Sequence, residues 1–235
     1  MKPISYDFHI HSCLSPCAND DMTPANIVGM AVVAGLDAIA ITDHNSCKNC
    51  RAAMKLGEQY NIVVIPGMEL CTVEEVHVVC LFYELEDAEK FGDFIYEHML
   101  PIKNQPALFG NQFIYNEEDQ MIGIEENLLI SASDVSFFEV YDLLKEYNGV
   151  MIPAHLDKNS NSLIHQLGFV PENARFHCFE LKNLSNLHDF RKKYPYLEQC
   201  KVVSNSDAHQ LGDIHGAINF LYAEEVNRAS ILKQL

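Results

Sequence analysis

The segment Tyr6-Asp7-Phe8-His9-Ile10-His11 carries the pattern from which the fold of this chain can be predicted. Polar and apolar residues alternate between Tyr6 and Ile10, which is typical of a β-strand. His9 and His11 end this strand and stand two residues apart, so both imidazoles are expected on the same face of a sheet. The pattern therefore predicts a strand that delivers two histidines to one edge of the fold.

Strands and helices continue to alternate along the chain. Thr23 and Pro24 fit the N-cap and the first position of a helix, and Gly35 fits its C-terminal stop. The other predicted strands cover residues 37–41, 62–65, 76–82, 150–154, 176–181, 201–204 and 217–222, and the other predicted helices cover 48–60, 87–99, 134–147 and 226–235. This order predicts an α/β fold, either a barrel or an open parallel sheet.

The length of 235 residues predicts a single domain of α/β-barrel size over residues 1–235. No internal repeat, low-complexity tract or linker divides the chain. Residues 103–130 show no clear period and are expected to form an insertion, an extended cap or a helical excursion. If this segment folds over the barrel mouth as a lid, it helps to select the substrate.

The composition is that of an ordinary globular protein, with 48% apolar and 21% charged residues. No apolar run approaches the roughly 20 residues that a membrane helix needs, so no membrane partner is expected. The N-terminus shows no hydrophobic signal-peptide region, which predicts a cytoplasmic protein. The eight cysteines are then expected to be reduced thiols or metal ligands rather than a disulfide framework.

The formal net charge of −17 makes a long nucleic acid an unexpected partner, because neutralising its phosphates needs a basic surface. The same charge admits a small phosphorylated substrate. Bound cations would neutralise several of the carboxylates, and a metal could hold the phosphate directly.

Candidate ligands stand at or near the ends of successive predicted strands. They are His9, His11, His44, Glu69, His155, Asp207 and His209, with His77 at the start of another strand. The carboxyl ends of parallel strands converge on one mouth in an α/β barrel, where active sites lie. Imidazole and carboxylate without obligatory thiolate suit catalytic zinc, manganese or iron.

Each element of this pattern also has a simpler explanation. A His-x-His pair is often structural, a lone His77 in an apolar strand is more often a core histidine, and Asp43 could cap a helix. The recurrence of ligand-type residues at successive strand ends favours the metal interpretation.

Six ordered motifs resemble those of the PHP family, the polymerase and histidinol phosphatase domains. They are Asp7-Phe8-His9-Ile10-His11-Ser12, Ile41-Thr42-Asp43-His44-Asn45, Pro66-Gly67-Met68-Glu69, Val76-His77-Val78-Val79, Pro153-Ala154-His155 and Ser206-Asp207-Ala208-His209. The resemblance spans nearly the whole chain. It implies a distorted (β/α)7 TIM-like barrel and a centre of two or three divalent metals.

The resemblance also implies which residues hold each metal. The first metal would be held by His9, His11, Glu69 and Asp207, the second by His44, His209 and an acidic residue, and the third by His77, His155 and a bridging Glu69. The acidic residue precedes Thr23-Pro24, and either Asp20 or Asp21 could supply it.

The predicted activity is hydrolysis of a phosphoester by a metal-bound hydroxide. Asp207 would orient the attacking group, and His209 or His44 would protonate the leaving group, unless Asp43 or His215 transfers that proton from outside the ligand set. Lys158 and Lys182 are the candidates for binding the substrate phosphate.

Four cysteines form a second constellation, with Cys13 and Cys17 after the first strand and Cys47 and Cys50 after the second. They could hold zinc or an iron–sulfur cluster, act as a redox switch, or be ordinary thiols.

The expected substrate is a small phosphorylated metabolite, a nucleotide or a short oligonucleotide. Three alternatives stay open: a phosphomonoesterase of the histidinol-phosphatase type, a C–N hydrolase of the amidohydrolase kind, and a non-catalytic metal-binding PHP domain. The sequence leaves the oligomeric state undetermined.

Overall fold

A computed structural model describes all residues from Met1 to Leu235. The fold is mixed α/β, and its sheet curls into a distorted TIM-like barrel, as predicted. The strands are β1 (Lys2–Ile10), β2 (Ala38–Ile41), β3 (Val63–Cys71), β4 (His77–Phe82), β5 (Phe113–Tyr115), β6 (Met121–Ile124), β7 (Gly149–Pro153), β8 (Cys178–Glu180), β9 (Lys201–Val203) and β10 (Phe220–Ala223). The α-helices are α1 (Pro24–Ala34), α2 (Cys50–Tyr60), α3 (Leu85–Glu97), α4 (Pro106–Phe109), α5 (Phe137–Glu146), α6 (Leu163–Leu167), α7 (Leu187–Lys193) and α8 (Arg228–Leu232).

Two hydrogen-bonded sheets make up the barrel wall. One has the order β10-β1-β2-β3-β4-β7, and the other pairs β8 with β9. The Leu156 amide donates to the Glu180 carbonyl (2.9 Å) and joins the end of β7 to β8, while the His11 amide donates to the Ala208 carbonyl (2.9 Å) and joins β1 to the segment after β9. Seven strands therefore surround the interior, with β10 lying outside this ring.

Strand direction differs from the prediction at β4. The pairs β1–β2 and β2–β3 are parallel, but β4 runs antiparallel to both β3 and β7. His77, the first residue of β4, consequently lies opposite Cys71, the last residue of β3. This reversal explains how a histidine at the start of a strand reaches the rim where the other strands end.

The barrel interior contains a layer of apolar side chains. Ile4, Tyr6 and Phe8 belong to a buried cluster of 15 residues together with side chains from the other barrel strands. The pairing register of β1 with β2 shifts between Asp7 and Ile10. Such an irregularity changes the direction in which the following side chains point. As a result, His9 and His11 face the barrel interior, although the even-numbered residues face it earlier in the strand.

The first helix follows the predicted chemistry at both ends. The Thr23 hydroxyl accepts a hydrogen bond from the Asn26 amide (3.3 Å), and Gly35 adopts a left-handed φ of 72° at the C-cap. α1, α2, α3 and α5 lie on the outside of the sheet and contribute side chains to a second apolar cluster of 44 buried residues. None of the helices is long and apolar enough to cross a membrane.

The segment 103–130 contains α4 and an antiparallel hairpin formed by β5 and β6. Its contacts include hydrogen bonds to the loops that follow β1 and β2. The Phe113 amide donates to the Cys13 carbonyl (2.8 Å), and the Tyr115 amide donates to Asn49 Oδ1 (2.9 Å). These bonds hold the segment at the carboxyl-end rim of the barrel.

Candidate metal centre

Glu69, near the end of β3, lies at the centre of a buried cluster of histidines. Glu69 is 1% exposed. Ring nitrogens of five histidines lie close to its carboxylate oxygens: His9 (3.2 Å), His11 (3.3 Å), His44 (3.2 Å), His77 (2.9 Å) and His155 (3.1 Å). One carboxylate therefore faces more nitrogen atoms than its hydrogen bonding requires.

Backbone geometry at the strand ends helps to bring these side chains together. His44 forms a parallel β-bridge with Glu69, which extends β2 alongside β3. His155 and Asp207 have positive φ angles of 34° and 55°. Non-glycine residues seldom adopt this left-handed region, and strain of this kind is concentrated at functional sites.

Three overlapping groups of side chains have the spacing that a metal ion requires. They are His9, His11 and Glu69; His11, His44 and His209; and His44, Glu69 and His77, and in each group the ligand atoms lie within 4.8 Å of one another. Imidazole and carboxylate ligands in this mixture suit zinc, manganese or iron. The cluster is thus suited to metal binding.

Asp207 completes the cluster on the side of His9 and His11. Its Oδ1 lies 3.5 Å from Nε2 of each histidine. Its Oδ2 faces outward and lies 2.9 Å from Lys158 Nζ and 3.7 Å from Lys182 Nζ. The two lysines predicted to bind phosphate therefore both lie beside Asp207, which is itself a predicted metal ligand.

Two carboxylates are ionised within the cluster. Burial opposes ionisation of Glu69, but His77 and His9 outweigh it and hold the pKa of Glu69 well below its usual range. The pKa of Asp207 is likewise lowered, because His9 outweighs the effect of burial. Burial opposes the charged form of His9, whereas Glu180 and Glu69 raise its pKa well above 6.5.

Two other histidines are held in the neutral form. Burial and the positive charge of His11 lower the pKa of His44 well below 6.5 and that of His209 to about 4. A neutral imidazole offers a lone pair, which is what a metal ligand needs. His44 Nδ1 is buried and makes no hydrogen bond, although it points to the Glu69 carboxylate. This orphaned nitrogen fits a metal ligand.

Two hydrogen-bond relays orient the first pair of histidines. His9 Nδ1 lies 3.1 Å from Glu180 Oε2, so its Nε2 faces Glu69. His11 Nδ1 lies 3.0 Å from Ser15 Oγ, which donates to Asp43 (2.7 Å). Asp43 is fully buried, so it acts behind His11 and does not face a substrate.

Asp20 and Asp21 are not brought into the cluster. Both are exposed, and Asp20 accepts a hydrogen bond from Asn111 Nδ2 (2.8 Å). In this loop the backbone, rather than a carboxylate side chain, contacts the cluster. The Asn19 amide donates to the His209 carbonyl (2.9 Å). The acidic ligand of the second metal stays a prediction for which the geometry offers no support.

The four cysteines do not form a separate metal site. Cys13 donates to the Phe113 carbonyl, and Cys47 and Cys50 both point to the Gly67 carbonyl. Cys17 is exposed, and no cysteine belongs to a group of candidate ligands. His215, the other candidate for proton transfer, also lies outside these groups.

Glu180 is the buried residue of the site that the sequence did not identify. It ends β8 and is 1% exposed. The available signal was a single carboxylate inside the apolar run Cys178-Phe179-Glu180-Leu181. Charged residues are almost never buried without a partner, so such a carboxylate predicts a specific contact.

A cavity of about 590 Å³ lies between α2, α3 and the β5–β6 hairpin, and none of the candidate metal ligands lines it. Most of the charged side chains that line it form ion pairs. Arg51 forms a bidentate pair with Glu89, and Lys48 pairs with Glu125. The cavity therefore contains no candidate metal ligand, and the candidate site for chemistry is the histidine cluster.

The profile of the PHP domain family matches residues 7–228. The chain belongs to the PHP domain family. This membership confirms the resemblance predicted from the six motifs and assigns the chain to the metal-dependent hydrolases. No curated protein matches the sequence.

Solved PHP-like structures share this fold at low sequence identity. The lesion-specific Endonuclease Q from Pyrococcus furiosus is 18% identical, with a TM-score of 0.71 over 99% of this chain and 55% of its own. A complex of Endonuclease Q with a 27-mer duplex, which carries an abasic lesion at the active site, gives 18% identity and a TM-score of 0.72 over 99% of this chain and 56% of its own. A protein from Bifidobacterium adolescentis, described as a metal-dependent phosphoesterase, is 18% identical, with a TM-score of 0.65 over 98% of this chain and 96% of its own. The chain thus spans about half the length of the Endonuclease Q chains.

The prediction that a long nucleic acid is an unexpected partner is wrong. A protein of the same fold holds a 27-mer duplex with the lesion at its active site. The net charge is a sum over the whole protein, whereas the binding of a phosphate depends on the electrostatic field at the site where it binds. Here that field includes Lys158 and Lys182 at the rim, so the total of −17 does not decide the partner.

Proposed function

We propose that the chain hydrolyses phosphoester bonds at a centre of two or three divalent metals around Glu69. The single observation that carries the proposal is the convergence of five histidine nitrogens within 3.3 Å of one buried carboxylate. Hydrogen bonding alone does not account for this excess of nitrogen donors. Two or three cations bridged by Glu69 would be coordinated by these nitrogen atoms.

The ligand groups support a division of the cluster among the metals. His9, His11, Glu69 and Asp207 would hold one ion. His44 and His209, with His11 within reach, would hold another, and His77 and His155 would share Glu69 with a third. Bound divalent metals would supply Lewis acidity and a nucleophile ionised from water near neutral pH.

The protein groups at the rim would position the substrate and handle protons. Asp207 is ionised, so its oxygens can accept a hydrogen bond from an attacking water. His209 is one of the more exposed histidines of the cluster, with 28% of its side chain accessible. Because its pKa is about 4, it is neutral at pH 7 and is better suited to a ligand than to a general acid.

Lys158 and Lys182 would bind the phosphate. Each side chain is 41% exposed, and each ammonium lies on the outward side of Asp207. The Lys182 ammonium also donates to the Ser206 carbonyl, while its backbone amide is fixed by Asp157 Oδ1 (2.7 Å). A small phosphorylated metabolite, a nucleotide or a short oligonucleotide fits this rim, because one phosphate can reach both lysines and the cluster.

A second candidate is cleavage of damaged DNA. The observation that favours it is the complex of Endonuclease Q with a lesion-containing duplex, in which the lesion lies at the active site of a similar fold. The sequence identity is 18%, which supports a shared fold. Cleavage of DNA by this chain is therefore tested directly.

One experiment separates the candidates. Elemental analysis of the purified chain is paired with product formation from phosphomonoesters, nucleotides and an abasic-site duplex, with manganese or zinc added. Two to three metals per chain and turnover that a chelator abolishes are expected, and the substrate ranking decides between small phosphoesters and DNA. His9→Ala and Asp207→Ala should be inactive with unchanged circular dichroism, while His188→Ala, on the exposed surface of α7, should be active. No metal and no turnover after reconstitution would overturn the proposal.

A further inference from the structure

Glu180 makes every one of its hydrogen bonds inside the barrel. Its two oxygens lie 3.3 and 3.1 Å from His9 Nδ1. Oε2 also accepts from the His155 backbone amide (2.9 Å), and Oε1 accepts from Asn205 Nδ2 (2.6 Å). Glu180 therefore contacts two candidate metal ligands. It faces Nδ1 of His9, whereas Glu69 faces Nε2 on the other side of the ring, so Glu180 lies behind the candidate ligands rather than among them.

The contact with Glu180 decides which nitrogen of His9 faces the cluster. Both oxygens of Glu180 already accept from fixed N–H donors, so His9 Nδ1 is the donor in this pair and carries the hydrogen. Once the ring loses its second proton, its lone pair therefore lies on Nε2, which is 3.2 Å from Glu69 Oε1 and 3.5 Å from Asp207 Oδ1. This is the nitrogen that stands within reach of the other ligands.

The second contact controls the orientation of His155. This residue has the strained φ of 34°, and its backbone amide donates to the same Oε2 atom that faces His9. Glu180 is held in turn by Asn205, whose Oδ1 accepts from the Phe8 amide (2.8 Å). The carboxylate thus links the carboxyl ends of β1, β7 and β8 and the segment after β9.

We infer that Glu180 is a positioning residue that sets the metal affinity of the centre by fixing the tautomer of His9 and the backbone of His155. The inference rests on the proposed metal centre. Carboxylates that accept from the outer nitrogen of a ligating histidine fix its orientation and raise its basicity. Loss of such a partner lowers metal affinity by about 10- to 100-fold.

Zinc binding to the purified chain tests this directly, because it can be read without any substrate. Competition with a chromophoric chelator should show that Glu180→Gln weakens zinc by about 10- to 100-fold, with stoichiometry retained at saturating zinc. Glu180→Asp keeps the charge and should recover part of the loss. Glu89→Gln, which removes the same charge from an exposed pair with Arg51, is the matched control and should bind zinc as the wild type does.

A spectroscopic readout covers the case in which the variants do not fold. In the zinc-loaded wild type, nitrogen-15 spectra assigned with His9→Gln should show a protected hydrogen on Nδ1 and coordination through Nε2. Coordination through Nδ1, or wild-type affinity in folded Glu180→Gln, would overturn the inference. If the wild-type chain binds zinc but cleaves no phosphoester, the proposed function is overturned. The role of Glu180 is then decided by the zinc affinities of the variants alone.

Discussion

Lys158 and Asp207 form an ion pair across the mouth of the barrel, with Nζ 2.9 Å from Oδ2. The two partners differ in exposure, since 41% of the Lys158 side chain but only 6% of that of Asp207 is accessible. Burial lowers the pKa of Lys158, but Asp207 outweighs this and raises it, so the lysine is a cation. The lysine is the more exposed partner, so its ammonium is available to a substrate phosphate at the barrel mouth.

Lys158→Gln should lower kcat/KM for the best phosphoester substrate by about 10- to 100-fold, because a hydrogen bond to a charged group contributes about 1.5–3 kcal/mol. Metal content should not change, because a lysine ammonium has no lone pair to offer a metal. Steady-state kinetics and elemental analysis measure the two effects. Lys192→Gln, on the exposed surface of α7, is the matched control. Unchanged kcat/KM in Lys158→Gln would remove this lysine from substrate binding.

Metal should stabilise the folded chain. Ligand at about 100 times its dissociation constant adds about 2.7 kcal/mol, which for a chain of this size raises Tm by about 5–10 °C. Thermal unfolding with zinc or manganese, and then with a chelator, measures this shift. His11→Ala should abolish most of it, because His11 belongs to two ligand groups, whereas His188→Ala should retain it. An equal shift in both variants would place the metal elsewhere.

Local chemistry made much of the fold predictable. The N-cap at Thr23 and the C-cap at Gly35 are short-range features that the structure reproduces. The direction of β4 was not predictable in the same way, because it is set by pairing with β3 and β7 rather than by its own residues. The hairpin in 103–130 escaped notice because its strands are only three and four residues long, too short for a clear period.

The candidate site was predictable where ligands end strands and less so elsewhere. His9, His44 and Glu69 were recognisable as candidates because each stands at or just after the end of a predicted strand, where side chains converge on one mouth. Glu180 ends a strand as well, but its role depends on a hydrogen bond to a residue 171 positions away. Asp20 and Asp21 were both candidates because of their position before the first helix, yet both side chains are exposed and that of Asp20 turns outward to Asn111.

Gly110 fixes the 103–130 segment to the loop after β1. Its φ is +102°, and a Cβ atom there would lie 2.0 Å from the Pro16 carbonyl oxygen. Gly110→Ala should therefore destabilise the docked segment by about 1–3 kcal/mol and expose it to proteases. Limited proteolysis with mapping of the cut sites measures this. Gly212→Ala, where no atom lies within 4 Å of the added Cβ, should behave as the wild type, and equal resistance in both variants would contradict the docking role.

Metal binding should release protons, because the neighbouring carboxylates raise the pKa of His9 well above 6.5 and the ligand form of the ring must lose its charge. A raised folded pKa means that the proton stabilises the metal-free protein below pH 6.5 and that this contribution is lost as pH rises through the folded pKa. Zinc affinity should therefore rise over the same pH interval.

Calorimetric titration of the chain with zinc, in two buffers of different ionisation enthalpy, counts the released protons. The wild type should release more protons per zinc at pH 7 than His9→Gln, whose side chain has no proton to lose. His188→Gln, which alters an exposed histidine of α7, should match the wild type. Equal release from wild type and His9→Gln would mean that His9 is already neutral before metal binds, or that it does not bind metal at all.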